Sequence, residues 1–145
     1  MMELRLSVRV ETSASNAFEF TINPDNTPRW VSGIVIEHTN ETPTRLGTIY
    51  KNQGLDGSCR EFSITAFEPG AMFEMSEKNS DIHVKYTFKP LGDDQCELEY
   101  YVRVDSGDLS EPFTEDNIQN ILIKLKEVIE AATQDPRNLI YRNRD

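Results

Sequence analysis

Residues 118–132 read IQNILIKLKEVIEAA. Ile118, Ile121, Leu122, Leu125, Val128, Ile129 and Ala132 recur every three or four positions, while Lys124, Lys126, Glu127 and Glu130 fall off that stripe. A stripe of this period is one face of an α-helix, with the charged residues turned to water. Thr114 stands where a cap is expected, and Glu115 and Asp116 occupy the first turn, where the helix dipole favours negative charge. Asp135-Pro136 ends the helix or follows its end. A long helix with one apolar face needs an apolar surface to cover it.

The segment before the helix supplies that surface. Ile82, Val84, Tyr86 and Phe88 alternate with His83, Lys85, Thr87 and Lys89. Cys96, Leu98, Tyr100, Val102 and Val104 alternate with Glu97, Glu99, Tyr101 and Arg103. Period two is the mark of a strand with one buried face, so the sheet has an apolar side and a wet side. Leu4, Leu6, Val8 and Val10 repeat the pattern near the amino terminus. Between these lie further strands over 34–38, 48–53, 58–67 and 71–76, with the last two strands over 81–89 and 95–104. Gly54-Leu55-Asp56-Gly57, Glu68-Pro69-Gly70 and similar short polar turns join them. Such turns predict an antiparallel meander rather than crossovers.

After the first strand, Thr12-Ser13-Ala14-Ser15 offers hydroxyl caps for a short helix carrying Ala17, Phe18 and Ile22. Asn23-Pro24-Asp25 ends it. A second short turn begins near Asp25 or Asn26, with Pro28 in its first turn and Trp30 on its inner side, and Gly33 stops it. One helix cannot cover a strongly twisted sheet of seven strands. The sheet must curl around the helix while the short helices close one side, and a curled sheet leaves a space in which ligands bind.

This order of elements resembles the helix-grip fold of the SRPBCC (START-like) superfamily, and within it the polyketide cyclase/dehydrase-type branch. The resemblance spans about residues 3 to 133. It is carried by the opening strand with Thr12-Ser13-Ala14-Ser15-Asn16-Ala17-Phe18, by Asn23-Pro24-Asp25-Asn26-Thr27-Pro28-Arg29-Trp30, by Leu46-Gly47-Thr48-Ile49-Tyr50, and by Leu122-Ile123-Lys124-Leu125-Lys126. It implies an α+β fold, a curved seven-stranded antiparallel sheet wrapped around a long C-terminal helix, with two short helices after the first strand. One domain, residues 1–134, is expected to precede a tail of 135–145. The resemblance places Trp30 where the short helices cap the sheet, and makes the loop of residues 105–111 a candidate gate.

Composition narrows the function. The 145 residues carry a formal charge of -10, which repels phosphate backbones and anionic membrane surfaces, so no nucleic acid and no membrane insertion are expected. No apolar run is long enough to span a bilayer, and the alternating amino terminus lacks the continuous apolar region of a signal peptide, so a cytoplasmic location is expected. Cys59 and Cys96 lack CxxC spacing and read as free thiols, Cys96 buried by its alternation. There is no HExxH, GxSxG, Cys/His pattern or glycine-rich phosphate loop, and no cofactor or metal is expected. His83 falls on the wet face, and His38 has no partner at metal-ligand spacing.

The ligand-binding candidates are therefore Trp30, on the inner side of the capping turn, and residues in phase with the apolar face: Tyr50, Arg60, Phe62, Ile64, Tyr86, Phe88 and Tyr100. Arg60 shares its parity with Phe62, Ile64 and Ala66; it either grips an anionic group on an apolar ligand or pairs with a local carboxylate. Each tyrosine needs a partner for its phenol, whether protein, water or ligand. Phe62, Phe73, Met75 and Phe88 either line a cavity or fill it, because both kinds of core use the same residue types. The expected function is binding, transport or sequestration of a small hydrophobic molecule such as a lipid or a polyketide-like compound, by a monomer or homodimer. The alternatives are a cyclase/dehydrase-type enzyme using Tyr50, Arg60 and Tyr86, and a co-chaperone-like interaction protein using its acidic surface and Leu139-Ile140-Tyr141.

Overall fold

The computed structural model describes residues 2–106 and 113–134. Strand β1 (Met2–Val10) is followed by α1 (Ala14–Ile22), a 3-10 turn at Pro24–Asn26 and α2 (Thr27–Trp30). Then come β2 (Ile34–Thr39), β3 (Ile49–Gly54), β4 (Cys59–Glu68), β5 (Met72–Glu77), β6 (Ile82–Pro90), β7 (Cys96–Val104) and the long α3 (Glu115–Gln134). The expected elements are all present, with ends displaced by a residue or two.

The strands form one antiparallel sheet in the order β1-β7-β6-β5-β4-β3-β2. Strands β2 to β7 are a meander, as their short turns require, and β1 closes the far end by pairing with β7 from Met2↔Val104 to Val10↔Cys96. Along β7 every second residue from Cys96 to Val104 is buried. The opposite face is a charge lattice: Arg5 meets Glu99 at 2.7 Å, Lys89 reaches Glu99 at 3.4 Å, and Arg103 meets Glu74 at 3.3 Å. Cross-strand pairs of opposite sign keep this wet face consistent with the register.

Ser13 caps α1 by accepting from the Asn16 amide at 3.1 Å, which satisfies a free donor of the first turn. The helix lies over β6 and β7. Phe18 inserts from it into a cluster with Phe67, Phe73 and Phe88, at ring separations of 5.9, 5.8 and 5.7 Å. Helix α3 packs against β1 and touches α1 and α2, burying Ile118, Leu122, Leu125 and Ile129. Burial of each such side chain stabilises by roughly 1.5–3 kcal/mol before entropy is counted.

One parity expectation is corrected. Ala66 does not share the inner face with Phe62 and Ile64. The register of β4 shifts between Ile64 and Ala66, so Ala66 stands opposite Glu74 of the wet face and Phe67 opposite buried Phe73. The extra residue of this bulge, Thr65, turns outward and bonds Glu74 at 2.8 Å and Ser76 at 2.9 Å. The expected tail of 135–145, with Leu139, Ile140 and Tyr141, lies outside the described residues, as does most of the candidate gate.

Candidate ligand-binding site

A cavity of about 960 Å³ lies between the inner sheet face, α2 and α3. Its position follows from the docking of the helices. α3 settles toward β1 and α1 over β6 and β7, so the inner face of β2 to β5 is not fully covered at the α2 end. Alternate residues of each strand reach the space: Tyr50 and Asn52 on β3, Arg60 and Phe62 on β4, Phe73 and Met75 on β5, Val84 and Tyr86 on β6, and Tyr100 on β7.

The structure brings Trp30, Tyr50, Arg60, Phe62, Tyr86 and Tyr100 together on this cavity. Ile64 and Phe88 do not line it. Both are packed inside the core, Phe88 against Phe18 and Phe73, because α1 covers their end of β4 and β6. Sequence parity identified their face but not which end of that face the helix would close.

The aromatic wall is continuous. Phe73 stacks on Tyr86 at 4.8 Å and 22°, and Tyr86 meets Tyr100 edge-on at 5.2 Å and Trp30 edge-on at 6.1 Å. Tyr86 and Tyr100 have no protein hydrogen-bond partner for their phenols among the described residues, and burial raises the pKa of both, so they stay protonated. The Trp30 indole nitrogen is also buried without a partner among the described residues. Tyr50 differs. Its hydroxyl donates to the Ile22 carbonyl at 2.6 Å and, its one proton being spent, accepts from Thr44 at 2.7 Å. Burial pushes its pKa up to about 12.

Arg60 sits near the rim. Its guanidinium pairs with Glu77 at 3.4 Å and lies 5.6 Å from the ring of Phe113, so the local-carboxylate alternative is realised while the residue still faces the cavity. Phe113, two residues past the segment read as a gate, also lines the cavity.

Glu37 was not foreseen. Strict alternation in Ile34-Val35-Ile36-Glu37 sets Glu37 opposite Ile34, yet both line the cavity. A register shift between Ile34 and Ile36 adds a residue to β2, leaving Val35 and Ile36 53% and 41% exposed while Glu37 is only 8% exposed. Thr27 donates to its Oε1 at 2.6 Å and Asn52 approaches its Oε2 at 3.5 Å. Burial raises the Glu37 pKa, and these two hydrogen bonds offset part of that rise. No periodicity in the sequence announces the bulge, and an inward glutamate in a strand is invisible without it.

Neither histidine enters the cavity. His38 is exposed on β2. His83 lies on the wet face as its parity requires, but it is held there rather than freely solvated, with Nδ1 2.7 Å from Ser76 Oγ and Nε2 3.1 Å from Asp105. Ser76, His83 and Asp105 thus form a chain of contacts. Strand β5 is paired with β4 and β6 on its two sides, and this chain of contacts lies on the wet face of the sheet, away from the cavity.

Comparisons with known proteins reach the chain through its fold alone. No protein-family model matches the sequence, and no curated protein matches it. Among solved structures, the di-domain ARO/CYC BexL from the BE-7585A biosynthetic pathway superposes with a TM-score of 0.75 at 14% identity, over 93% of this chain and 48% of that one. The chain therefore spans about half of that di-domain protein. The aromatase/cyclase ZhuI from Streptomyces sp. R1128 gives 0.71 at 9% identity over 93% and 97% of the two chains. The Aha1 dimer from Colwellia psychrerythraea gives 0.68 at 12% identity over 90% and 97%. The fold is thus the helix-grip fold, of the kind seen in aromatase/cyclases. Among the described residues no helix is long and apolar enough to cross a membrane.

Proposed function

We propose that the protein binds a small, predominantly apolar molecule in the cavity between its sheet and α3. The observation that carries this reading is an aromatic-walled space of about 960 Å³ into which Tyr86 and Tyr100 bring phenols with no protein partner among the described residues. Sites for small molecules have this character: mostly apolar walls, a few polar groups, and a volume on the order of 300–1,000 Å³. A filled core would have satisfied those groups within the protein.

A cyclase/dehydrase-type reaction is the second reading. It is favoured by the convergence of Tyr50, Arg60 and Tyr86 on one cavity and by the likeness in fold to BexL and ZhuI. It ranks second because the Tyr50 hydroxyl donates to the Ile22 carbonyl and Arg60 is paired with Glu77, leaving Tyr86 as the uncommitted acid of the three.

Native mass spectrometry of the purified protein, with titration of a fluorescent apolar probe, tests the binding reading. Uptake at one site is expected, and Val84→Phe, which fills the cavity from β6, is expected to weaken it. No uptake by a folded protein would overturn the proposal.

A further inference from the structure

We propose that the ligand is an organic cation, a protonated amine carried on an aromatic or alicyclic body, with Glu37 as its counter-ion inside the cavity. This rests on reading the cavity as a ligand site and adds the charge of the occupant. Glu37 is 8% exposed and lines the cavity, and its carboxylate accepts hydrogen bonds from a neutral hydroxyl and a neutral amide. Among the described residues it forms no ion pair, and of the other charges on the cavity wall only Arg60 has a charged partner. Arg60 is held by Glu77, and Arg29 turns to Asn26 at 3.2 Å and to the face of Phe20 at 5.1 Å. Asp56 is engaged by the Ser58 amide and hydroxyl within the β3–β4 turn, and Lys124 is exposed on α3.

A buried carboxylate without a cation is costly, and the cost falls when a cation arrives to face it. The surrounding walls suit the same occupant. Trp30, Phe73, Tyr86 and Tyr100 form the contiguous aromatic wall, whose ring faces attract a desolvated ammonium. Tyr50 and Tyr86, which line the same cavity as Glu37, both feel its negative charge. The net charge of -10 further draws cations toward the protein and slows the approach of anions such as fatty-acid carboxylates.

Isothermal titration with three probes of one shape decides the matter: 2-naphthylmethylamine, 2-naphthylmethanol and 2-naphthoate at neutral pH. The amine is expected to bind about tenfold more tightly than the alcohol, with the naphthoate weakest. Glu37→Gln is expected to bring the amine down to the affinity of the alcohol, and Glu37→Asp, which keeps the charge, to retain part of the preference. Thermal unfolding confirms that each variant is folded; should the glutamine variant not fold, the ranking in the wild type and the aspartate variant decides. An alcohol that binds as well as the amine, or a preference that survives Glu37→Gln, overturns this inference while leaving the cavity reading intact. Failure of all three probes to bind removes both.

Discussion

Thr27 Oγ1 donates to Glu37 Oε1 at 2.6 Å, tying α2 to the end strand of the sheet through the only buried carboxylate among the described residues. The pair joins the short helix that carries Trp30 to the bulged strand that carries Glu37, so the cap and the polar wall of the cavity are positioned together.

This pair makes stability depend on pH with a definite sign. Burial raises the Glu37 pKa above its ordinary 4.5, so the folded state holds the proton more tightly than the unfolded one. The contribution is complete below 4.5 and is lost as pH rises through the folded value. Ligand-free Glu37→Gln is therefore expected to gain stability relative to the wild type between pH 4.5 and neutrality, and to run parallel to it at lower pH. Urea unfolding of both proteins across that range measures the difference; a constant offset would show that Glu37 does not titrate from a buried position.

Tyr50 links β3 to the end of α1 through its 2.6 Å bond to the Ile22 carbonyl. Tyr50→Phe leaves that carbonyl without its donor while keeping the ring. The expected loss is roughly 1–3 kcal/mol by urea unfolding, the penalty of an unsatisfied buried acceptor. Thr44→Val, which removes only the second partner, is expected to cost less.

Phe18 is the plug that separates the packed end of the inner face from the open end. It meets three phenylalanine rings within 5.9 Å and is almost wholly buried. Phe18→Ala is expected to destabilise by roughly 3–5 kcal/mol. The void it leaves would adjoin Phe73, so apolar probe uptake is expected to change as well, whereas a surface substitution such as Lys85→Ala is expected to alter neither.

The thiols should separate cleanly. Cys59 is exposed and Cys96 fully buried, and burial pushes the Cys96 pKa up to about 11. Titration with a thiol reagent near pH 8 is expected to modify Cys59 alone in the folded protein and both residues in denaturant. Rapid modification of Cys96 under native conditions would contradict its place at the pairing of β1 with β7.

Much of the fold was legible because its elements repeat a simple period. The α3 stripe from Ile118 to Ala132 and the alternation of β6 and β7 each bury one face, and the sequence names those faces residue by residue. The turn at Gly54-Leu55-Asp56-Gly57 was equally readable: its ends are joined by the Gly54 amide and Ser58 carbonyl at 2.8 Å, with Gly57 at φ 84°. The site was legible only in part. Tyr50, Arg60, Phe62, Tyr86 and Tyr100 follow their parity into the cavity and Trp30 reaches it from the capping helix, while Ile64 and Phe88 follow the same parity into packed core.

The amino-acid order by itself thus determined the two amphipathic surfaces, the meander that builds one of them and the short helices that cap it, since each follows from contacts between near neighbours in the chain. Tertiary structure decided the rest. Bulges in β2 and β4 turn Glu37 inward and Ala66 outward because the strands must bend to meet the helices, a demand that no local pattern encodes. Whether the gap closes was settled by α3 docking toward β1, since aromatic residues that fill a core and those that line a cavity are the same residues until distant elements take their places around them.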